Sequence, residues 1–383
     1  MINHALAVRN VFIEKFETEP RVFYSPGRIN LIGEHIDYND GFVMPAAIDK
    51  GIFFAIALNN SEKVNCYSID FDESISVPLS EIKKMDTWKN YVLGVVYEFQ
   101  KLNLPVIGFD CIFGGNIPIG GGLSSSAALE GGISMSINEL CNFEMSRKDL
   151  ALLGQRAEHD FPGVKCGIMD QYANMLGKKN NVILLDTMKV TSEYIPFHIE
   201  GFQIILINTK VHHTLASSEY NQRRKECEKG LAILTKELHI QSFRDIKNQD
   251  ELLPFKNEMG DQIYNRCLYV VEEILRTKKA AILLKENDLI GFGKLMFQTH
   301  EGLKKLYEVS CKELDFLVDA AKENKDVIGA RLMGGGFGGC TINVVKEEGV
   351  KLFLSKVLTA YKNEFNIDAE SYDVRTVDGT GEI

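Results

Sequence analysis

Nowhere in the 383 residues does an apolar run reach the length of a membrane span. The most apolar longer stretch, Gly41 to Leu58, is broken by Pro45, Asp49 and Lys50. Basic charge is short as well. Lys and Arg number 43 against 53 Asp and Glu, a formal net charge of −10. Without a basic excess to displace counterions, neither general nucleic-acid binding nor attachment to an anionic membrane is expected. A small phosphate site needs only a few local donors and stays open. Cysteine pairing is missing too: Cys66, Cys111, Cys141, Cys166, Cys227, Cys267, Cys311 and Cys340 form no C-x-x-C pair. No Cys/His group has zinc spacing, so these read as reduced, mostly buried thiols. The opening residues, MINHALAVRNVFIEKF, carry charges early and show no secretory leader. A reducing cytoplasm is the expected location. No repeat, charge tract or low-complexity linker marks a domain boundary.

What is present is ordinary globular composition, 45% hydrophobic and 25% charged. The length suits two domains, divided near residue 190 into 1–190 and 191–383. Residues 20 to 115 read mainly as strands and turns, with IFFAIAL, KVNCYSI and VIGFDCIF as short β-branched and aromatic runs. From Ser124 a helical apolar face begins at Ala128, Leu129, Ile133, Ile137 and Leu140. A second helix is expected from Ser146, where Asp149 completes a capping-box spacing, and it should stop before Pro162. NVILLD and FQIILIN read as strands, followed by long helices over 217–237, 260–286 and 288–323. The strand CTINVV and a helix over 349–363 precede the end. This mixed order favours α+β over a doubly wound sheet.

Three segments concentrate chemistry. In SPGRINLIGEHIDYNDGFVMP, residues 25–45, Arg28, Glu34, His35, Asp37 and Asp40 crowd between glycines while Ile29, Leu31 and Ile32 anchor the stretch. Carboxylates there could accept from sugar hydroxyls, hold a metal with His35, or simply form a solvated acidic loop. In NIPIGGGLSSSAALE, residues 116–130, three glycines precede three serines that open a helix, presenting free N–H groups to a phosphate. It is neither a Walker loop nor a Rossmann fingerprint, since no G-K-[ST] follows and Ser125 stands where the third glycine belongs. A flexible loop with a serine N-cap is the plainer alternative. In RLMGGGFGGCTINVV, residues 331–345, Gly334, Gly336 and Gly339 satisfy G-x-G-x-x-G, but a helical segment is expected before it and a strand after, the wrong order for a dinucleotide. A structural turn and a ligand loop both remain open there. Glu158 sits at a helix end, where such residues are usually solvated, and Asp170 lies in or after a loop, where burial would require a partner. Tyr220 precedes Arg223 and Arg224 at a helix start that reads as surface.

Together these segments resemble the GHMP kinase superfamily and, through GRINLIGEHIDYNDGF, TWKNYVLGVV and SSEYNQRR, the galactokinases within it. The resemblance runs from Arg28 to Thr341 in family order. It implies an α+β, two-lobed GHMP-kinase-like fold, with an N-terminal mixed β/α lobe, a C-terminal ferredoxin-like lobe and the active site between them. It implies ATP and Mg2+, galactose as substrate, and a monomer. Carried over by position, Glu34, His35, Asp37, Gly167 and Tyr220 would hold the sugar. Gly120, Gly121, Gly122, Leu123, Ser124, Ser125 and Ser126 would hold the phosphates, with Ser68 and Trp88 on the nucleotide side. Ser126 and Glu158 would bind the metal, Asp170 would be the catalytic aspartate, and Arg28 its cationic neighbour, favouring the ionised form. Ile36 and Ser25 depart from the usual threonine and alanine, at positions that carry no chemistry. The alternatives are a related sugar kinase, acting on N-acetylgalactosamine, galacturonate or arabinose, and a non-catalytic sensor of galactose and ATP.

Overall fold

The structure, a computed structural model, describes residues 2–118, 120–212 and 216–383. Ile119 of the glycine-serine segment and Leu215 ahead of SSEYNQRR lie outside the described residues. The chain runs through α1 (Ile2–Phe16), β1 (Arg21–Asn30), β2 (Phe42–Val43), β3 (Pro45–Leu58), β4 (Lys63–Ser68) and β5 (Glu73–Pro78). Next come α2 (Lys89–Lys101), β6 (Phe109–Gly115), α3 (Ser125–Leu140), α4 (Arg147–Asp160), α5 (Met169–Leu176), β7 (Asn181–Asp186) and β8 (Thr191–Pro196). It continues with β9 (Phe202–His212), α6 (Ala216–Glu237), α7 (Lys256–Lys285), α8 (Leu289–Gly302), α9 (Lys312–Lys322) and β10 (Val327–Leu332). The last elements are β11 (Gly338–Lys346), α10 (Val350–Phe365), β12 (Glu370–Val374) and β13 (Gly381–Glu382).

Six strands in the order β13-β1-β3-β6-β4-β5 form the first sheet, antiparallel except where β4 lies beside β6. Alternation along β3 buries both of its faces, because successive strand side chains point to opposite sides. Phe53 and Ala55 pack with Val8 and Phe12 of α1, while Phe54 and Ile56 join Val92, Val96 and Ile133 in the large core on the other side. The second sheet has the order β10-β11-β9-β12. Taken in chain order these are its second, third, first and fourth strands, with helices after the first and third, which is the ferredoxin-like arrangement. The architecture is thus the expected α+β one, with a mixed first lobe and a ferredoxin-like second lobe. A small third sheet, β2-β7-β8, carries the chain past residue 190 within the β7–β8 pair, and β13 returns to the first sheet. No helix among the described residues is long and apolar enough to cross a membrane.

Several local expectations are corrected. The span 20–115 also holds α2, whose buried face is Val92, Leu93, Val95, Val96 and Phe99. The stretch 288–323 is not one helix: α8 passes into a π-helical turn over Leu303–Tyr307, then Glu308 turns left-handed (φ 54) before α9. The third glycine-rich segment follows a strand rather than a helix, and joins β10 to β11 as a hairpin. Ser146 does cap α4, accepting from the Asp149 N–H, and α4 stops before Pro162.

Helix α3 matters most for the site, because its N-terminus carries the glycine-serine loop. It is buried from Ala127 to Asn138 and lies very close to the sheet. A Cβ on Gly132 would fall 2.0 Å from the Phe54 ring, and one on Gly131 would fall 1.9 Å from Asn174 Oδ1. In an open helix Gly→Ala would gain about 1 kcal/mol. Here the clash outweighs that gain, so Gly132→Ala is expected to destabilise by roughly 1–3 kcal/mol. A thermal melt checks this, and an unchanged Tm would show that α3 and β3 separate freely.

Candidate active site

The register of β1 against β3 shifts between Pro26 and Arg28. A Cβ on Gly27 would approach Leu123 O to 2.7 Å, so the missing side chain lets the glycine-serine loop lie against the strand. There the Arg28 N–H donates to Leu123 O at 3.1 Å. The Arg28 guanidinium grips Asp170 with two donors, Nε to Oδ1 at 2.8 Å and Nη2 to Oδ2 at 3.1 Å. Its Nη1 donates to Gly122 O at 2.6 Å. Burial works against the Arg28 charge, but Asp170 and Glu34 outweigh it and raise its pKa. Ser124 Oγ donates to Asp170 Oδ2 at 2.5 Å, the length of a charge-assisted bond. Ser124 therefore does not cap α3 through its side chain; left-handed at φ 57, it turns its hydroxyl to Asp170. Asp170 sits in the first turn of α5, just after the loop that follows α4.

The sugar segment is held from below by α7. Glu273 Oε1 accepts from the Gly33 N–H at 2.8 Å, and Tyr269 Oη donates to Glu34 O at 2.9 Å. This supports His35 in a left-handed conformation, φ 62, which a non-glycine residue adopts only under constraint. His35 Nε2 lies 3.2 Å from Gly335 O, so it carries the proton and donates. Nδ1 then accepts from Tyr38 Oη at 2.7 Å, Tyr38 accepts from Tyr307 Oη at 2.9 Å, and the Cys227 thiol donates to Tyr307 at 3.2 Å. Burial pushes His35 down to about 4, in keeping with an imidazole that stays neutral. A cavity of about 240 Å³ opens between these groups, lined by Arg28, Glu34, His35, Asp37, Glu158, Asp170 and Tyr220. That is smaller than the roughly 300–1,000 Å³ of drug-sized ligand sites and suits a small polar molecule. Gly167 leaves room for Asp37: a Cβ there would fall 2.0 Å from Asp37 Oδ2.

On the far side lies an acidic group of unusual density. Glu158 is buried, against the solvated expectation. Gln171 Nε2 donates to Glu158 Oε2 at 2.6 Å and to Glu130 Oε2 at 3.1 Å, joining two carboxylates through one amide. Burial and the Asp170 charge raise Glu158 to about 7, and the neighbouring Cys166 thiol and Ser126 hydroxyl partly offset that. Burial and Glu158 raise Glu130 well above the usual range. Glu130 Oε1 and Gln171 Oε1 have no hydrogen-bond partner among the described residues. No group of three His, Cys, Asp or Glu among the described residues forms a metal site by itself. Ser126 and Glu158 nevertheless fit a Mg2+ ion that keeps waters and phosphate oxygens, since they are oxygen donors in a place with surplus negative charge.

Of the expected residues, Gly167, the loop from Gly120 to Ser126, Ser68 and Trp88 do not line the cavity. Ser68 is buried and accepts from the Phe71 N–H, and Trp88 packs edge-on to Phe113 while donating to Glu73. Arg223 is not a surface group: it is buried and donates to Tyr307 O and Glu308 O. The cavity also takes in Val164, Cys166, Met169, Gly334 and Gly335. Of these only the two glycines had a sequence signal, as part of the third glycine-rich segment.

A ferredoxin-like lobe beside a mixed lobe, with a glycine-serine loop at the head of α3, is the architecture of the GHMP kinases. Signatures described as the GHMP kinases N terminal domain and the GHMP kinases C terminal match residues 90–178 and 280–363. A galactokinase galactose-binding signature matches residues 10–58. Galactokinase of Thermotoga neapolitana is 39% identical over 359 residues, covering 94% of this chain and 99% of that protein. Galactokinase of Clostridium acetobutylicum is 40% identical over 381 residues, covering 98% and 97%. The crystal structure of Lactococcus lactis galactokinase complexed with galactose superposes with a TM-score of 0.96 at 35% identity, covering all of both chains. The chain belongs to the galactokinase family.

Asp37 gives a test of these electrostatics. Burial, then Asp170 and Glu34, push its carboxyl up to about 7. Its unfolded-state value lies near 4. Between these values the folded state keeps a proton that the unfolded chain has lost, so this group's contribution to stability falls as pH rises through that window. Without substrates, the stability gained by Asp37→Asn should be larger at pH 8 than at pH 5 by on the order of 2–3 kcal/mol. Urea unfolding at both pH values measures this, and equal effects at the two would refute the assignment.

Proposed function

We propose that this protein transfers the γ-phosphate of ATP to the anomeric C1 hydroxyl of galactose, giving galactose 1-phosphate and ADP. The observation that carries this reading is the convergence of Arg28, Ser124 and Asp170 at the point where the glycine-serine loop meets the cavity lined by Glu34, His35 and Asp37. Glu34, His35, Asp37, Gly167 and Tyr220 form the sugar site, with carboxylates placed to accept from neighbouring hydroxyls. Gly120 to Ser126 take the phosphates, using the free N–H groups at the α3 N-terminus. Ser68 and Trp88 belong to the nucleotide side by resemblance alone.

Three of the roughly four lone-pair positions of Asp170 are occupied, by two Arg28 donors and by Ser124. The remaining one accepts the proton of the C1 hydroxyl as its oxygen bonds to the γ-phosphorus and the bond to the β–γ bridging oxygen breaks. Arg28 offsets charge that develops on the transferring group. Mg2+, held by Ser126 and Glu158, would neutralise phosphate charge when bound. A C6 carboxylate would want a free cation. Among the described lining residues the one cation is Arg28, already committed to Asp170, which weighs against galacturonate. Eight unpaired cysteines support a reducing, cytoplasmic setting. A monomer, and a lobe division near residue 190 crossed by the β7–β8 hairpin and by β13, belong to the same reading.

A coupled ADP-release assay with a sugar panel tests the proposal. Turnover on galactose at roughly 1–100 per second supports it. Binding of galactose and ATP without turnover would make the protein a sensor, and turnover on another sugar would replace the substrate. Asp170→Asn should lower kcat by roughly 10²–10⁴-fold, and near-full turnover would remove the base role. Glu158→Gln should raise the Mg2+ concentration needed for half-maximal ATP binding in calorimetry, and an unchanged requirement would remove the metal role.

A further inference from the structure

The third glycine-rich segment has no part in the transfer described above, yet its first residue reaches the sugar site. Arg331, at the end of β10, is fully buried. Its Nε donates to Leu31 O at 2.9 Å, its Nη2 to Asn30 O, and its Nη1 to Leu332 O at 2.6 Å and to Glu34 Oε2 at 2.7 Å. The side chain of Glu34 is 3% exposed, and among the described residues no other salt bridge reaches it. Four residues on, Gly335 O accepts from His35 Nε2. Met333 and Gly334 between them lie against Gly122 of the phosphate loop.

We propose that Arg331 is the positioning residue of the sugar site: from the second lobe it holds Glu34 in the one orientation that accepts a particular hydroxyl, and so sets discrimination among sugars. A buried carboxylate with a single guanidinium partner has its plane set by that partner. Oε2 is committed to Arg331, which leaves Oε1 for the ligand. Lysine could supply the charge at this position but not the fork that also fixes Asn30 and Leu31.

The inference rests on the sugar-kinase reading, and the experiment separates the two. Calorimetry and steady-state kinetics are run with galactose and its four monodeoxy analogues on the parent enzyme, Glu34→Gln, Arg331→Met and the double variant. Glu34→Gln identifies the hydroxyl that Glu34 accepts, as the one whose removal ceases to matter. Arg331→Met should then lose discrimination at that same hydroxyl and raise KM for galactose by roughly tenfold or more, with KM for ATP changed less than about threefold. In the Glu34→Gln background it should cost no further discrimination. Folded Arg331→Met protein that keeps the discrimination, or loses galactose and ATP affinity alike, overturns the proposal. If Arg331→Met does not fold, Arg331→Lys is read the same way, and full discrimination there overturns it too. A parent enzyme that binds no galactose would instead fail the sugar-kinase reading.

Discussion

A buried guanidinium cannot stand alone in this fold, and the pairing of Arg28 with Asp170 organises what surrounds it. Arg28 is 5% exposed, so its charge needs a carboxylate within reach. Removing one partner of such a pair costs about 3–5 kcal/mol, because the other is left uncompensated. The planar fork fixes more than a distance. It sets the plane of the Asp170 carboxylate, and its third contact, to Gly122 O, ties the phosphate loop to the same frame. Strand β1, the loop before α3 and the first turn of α5 are therefore located by one side chain. Lysine, with a point charge and no fork, could not hold all three.

Around that pair the site carries more carboxylate than the fold neutralises. Glu34, Asp37, Glu130, Glu158 and Asp170 are gathered with Arg28 and Arg331 as the guanidinium partners of two of them. Asp37 and Glu158 are both raised to about 7, and burial with the Glu158 charge raises Glu130 well above its ordinary value. Such a surplus costs stability and is maintained by the packing of α3, α4 and α5. What it provides is a preorganised set of acceptors in a low-dielectric place, where hydroxyl donors and a cation gain more than they would in water. The neutral imidazole of His35, held by two hydrogen bonds, adds no positive charge to the sugar side.

Much of the site was legible because its residues lie in short contiguous motifs. The anchors Ile29, Leu31 and Ile32 are all fully buried, and with Leu123, Met333 and Cys340 they form one apolar cluster beneath the three glycine-rich segments. Periodicity and capping found α3 and α4 for the same local reason. What failed depended on distant contacts. The surroundings of Glu158 come from Gln171 and Glu130 on two other helices, so a helix-end glutamate read as solvated. Arg223 looked like surface charge, although its acceptors are the carbonyls of Tyr307 and Glu308 at the end of a π-helical turn. Helix α5 is short, at eight residues, and its capping residue makes no side-chain bond, which left Asp170 without a helix signal. The order of elements around the third glycine segment was misread because buried β10 is as apolar as a buried helix would be.

Phosphoryl transfer asks little covalent work of a protein, so its demands fall on position. Arg28 and Arg331 meet that demand at opposite ends of one short stretch. Arg28 braces its start against the phosphate loop and α5, and Arg331 braces Asn30, Leu31 and Glu34 from the second sheet. Gly335 adds a further tie to His35, and Glu273 one to Gly33. Residues 28–35 are thus cross-braced by both lobes, and any slip between the lobes would be felt at once by the groups that face the sugar and by the aspartate beside the phosphate loop. A flexible surface loop of the same composition could bind a sugar, but it could not keep those groups and the phosphate loop in register.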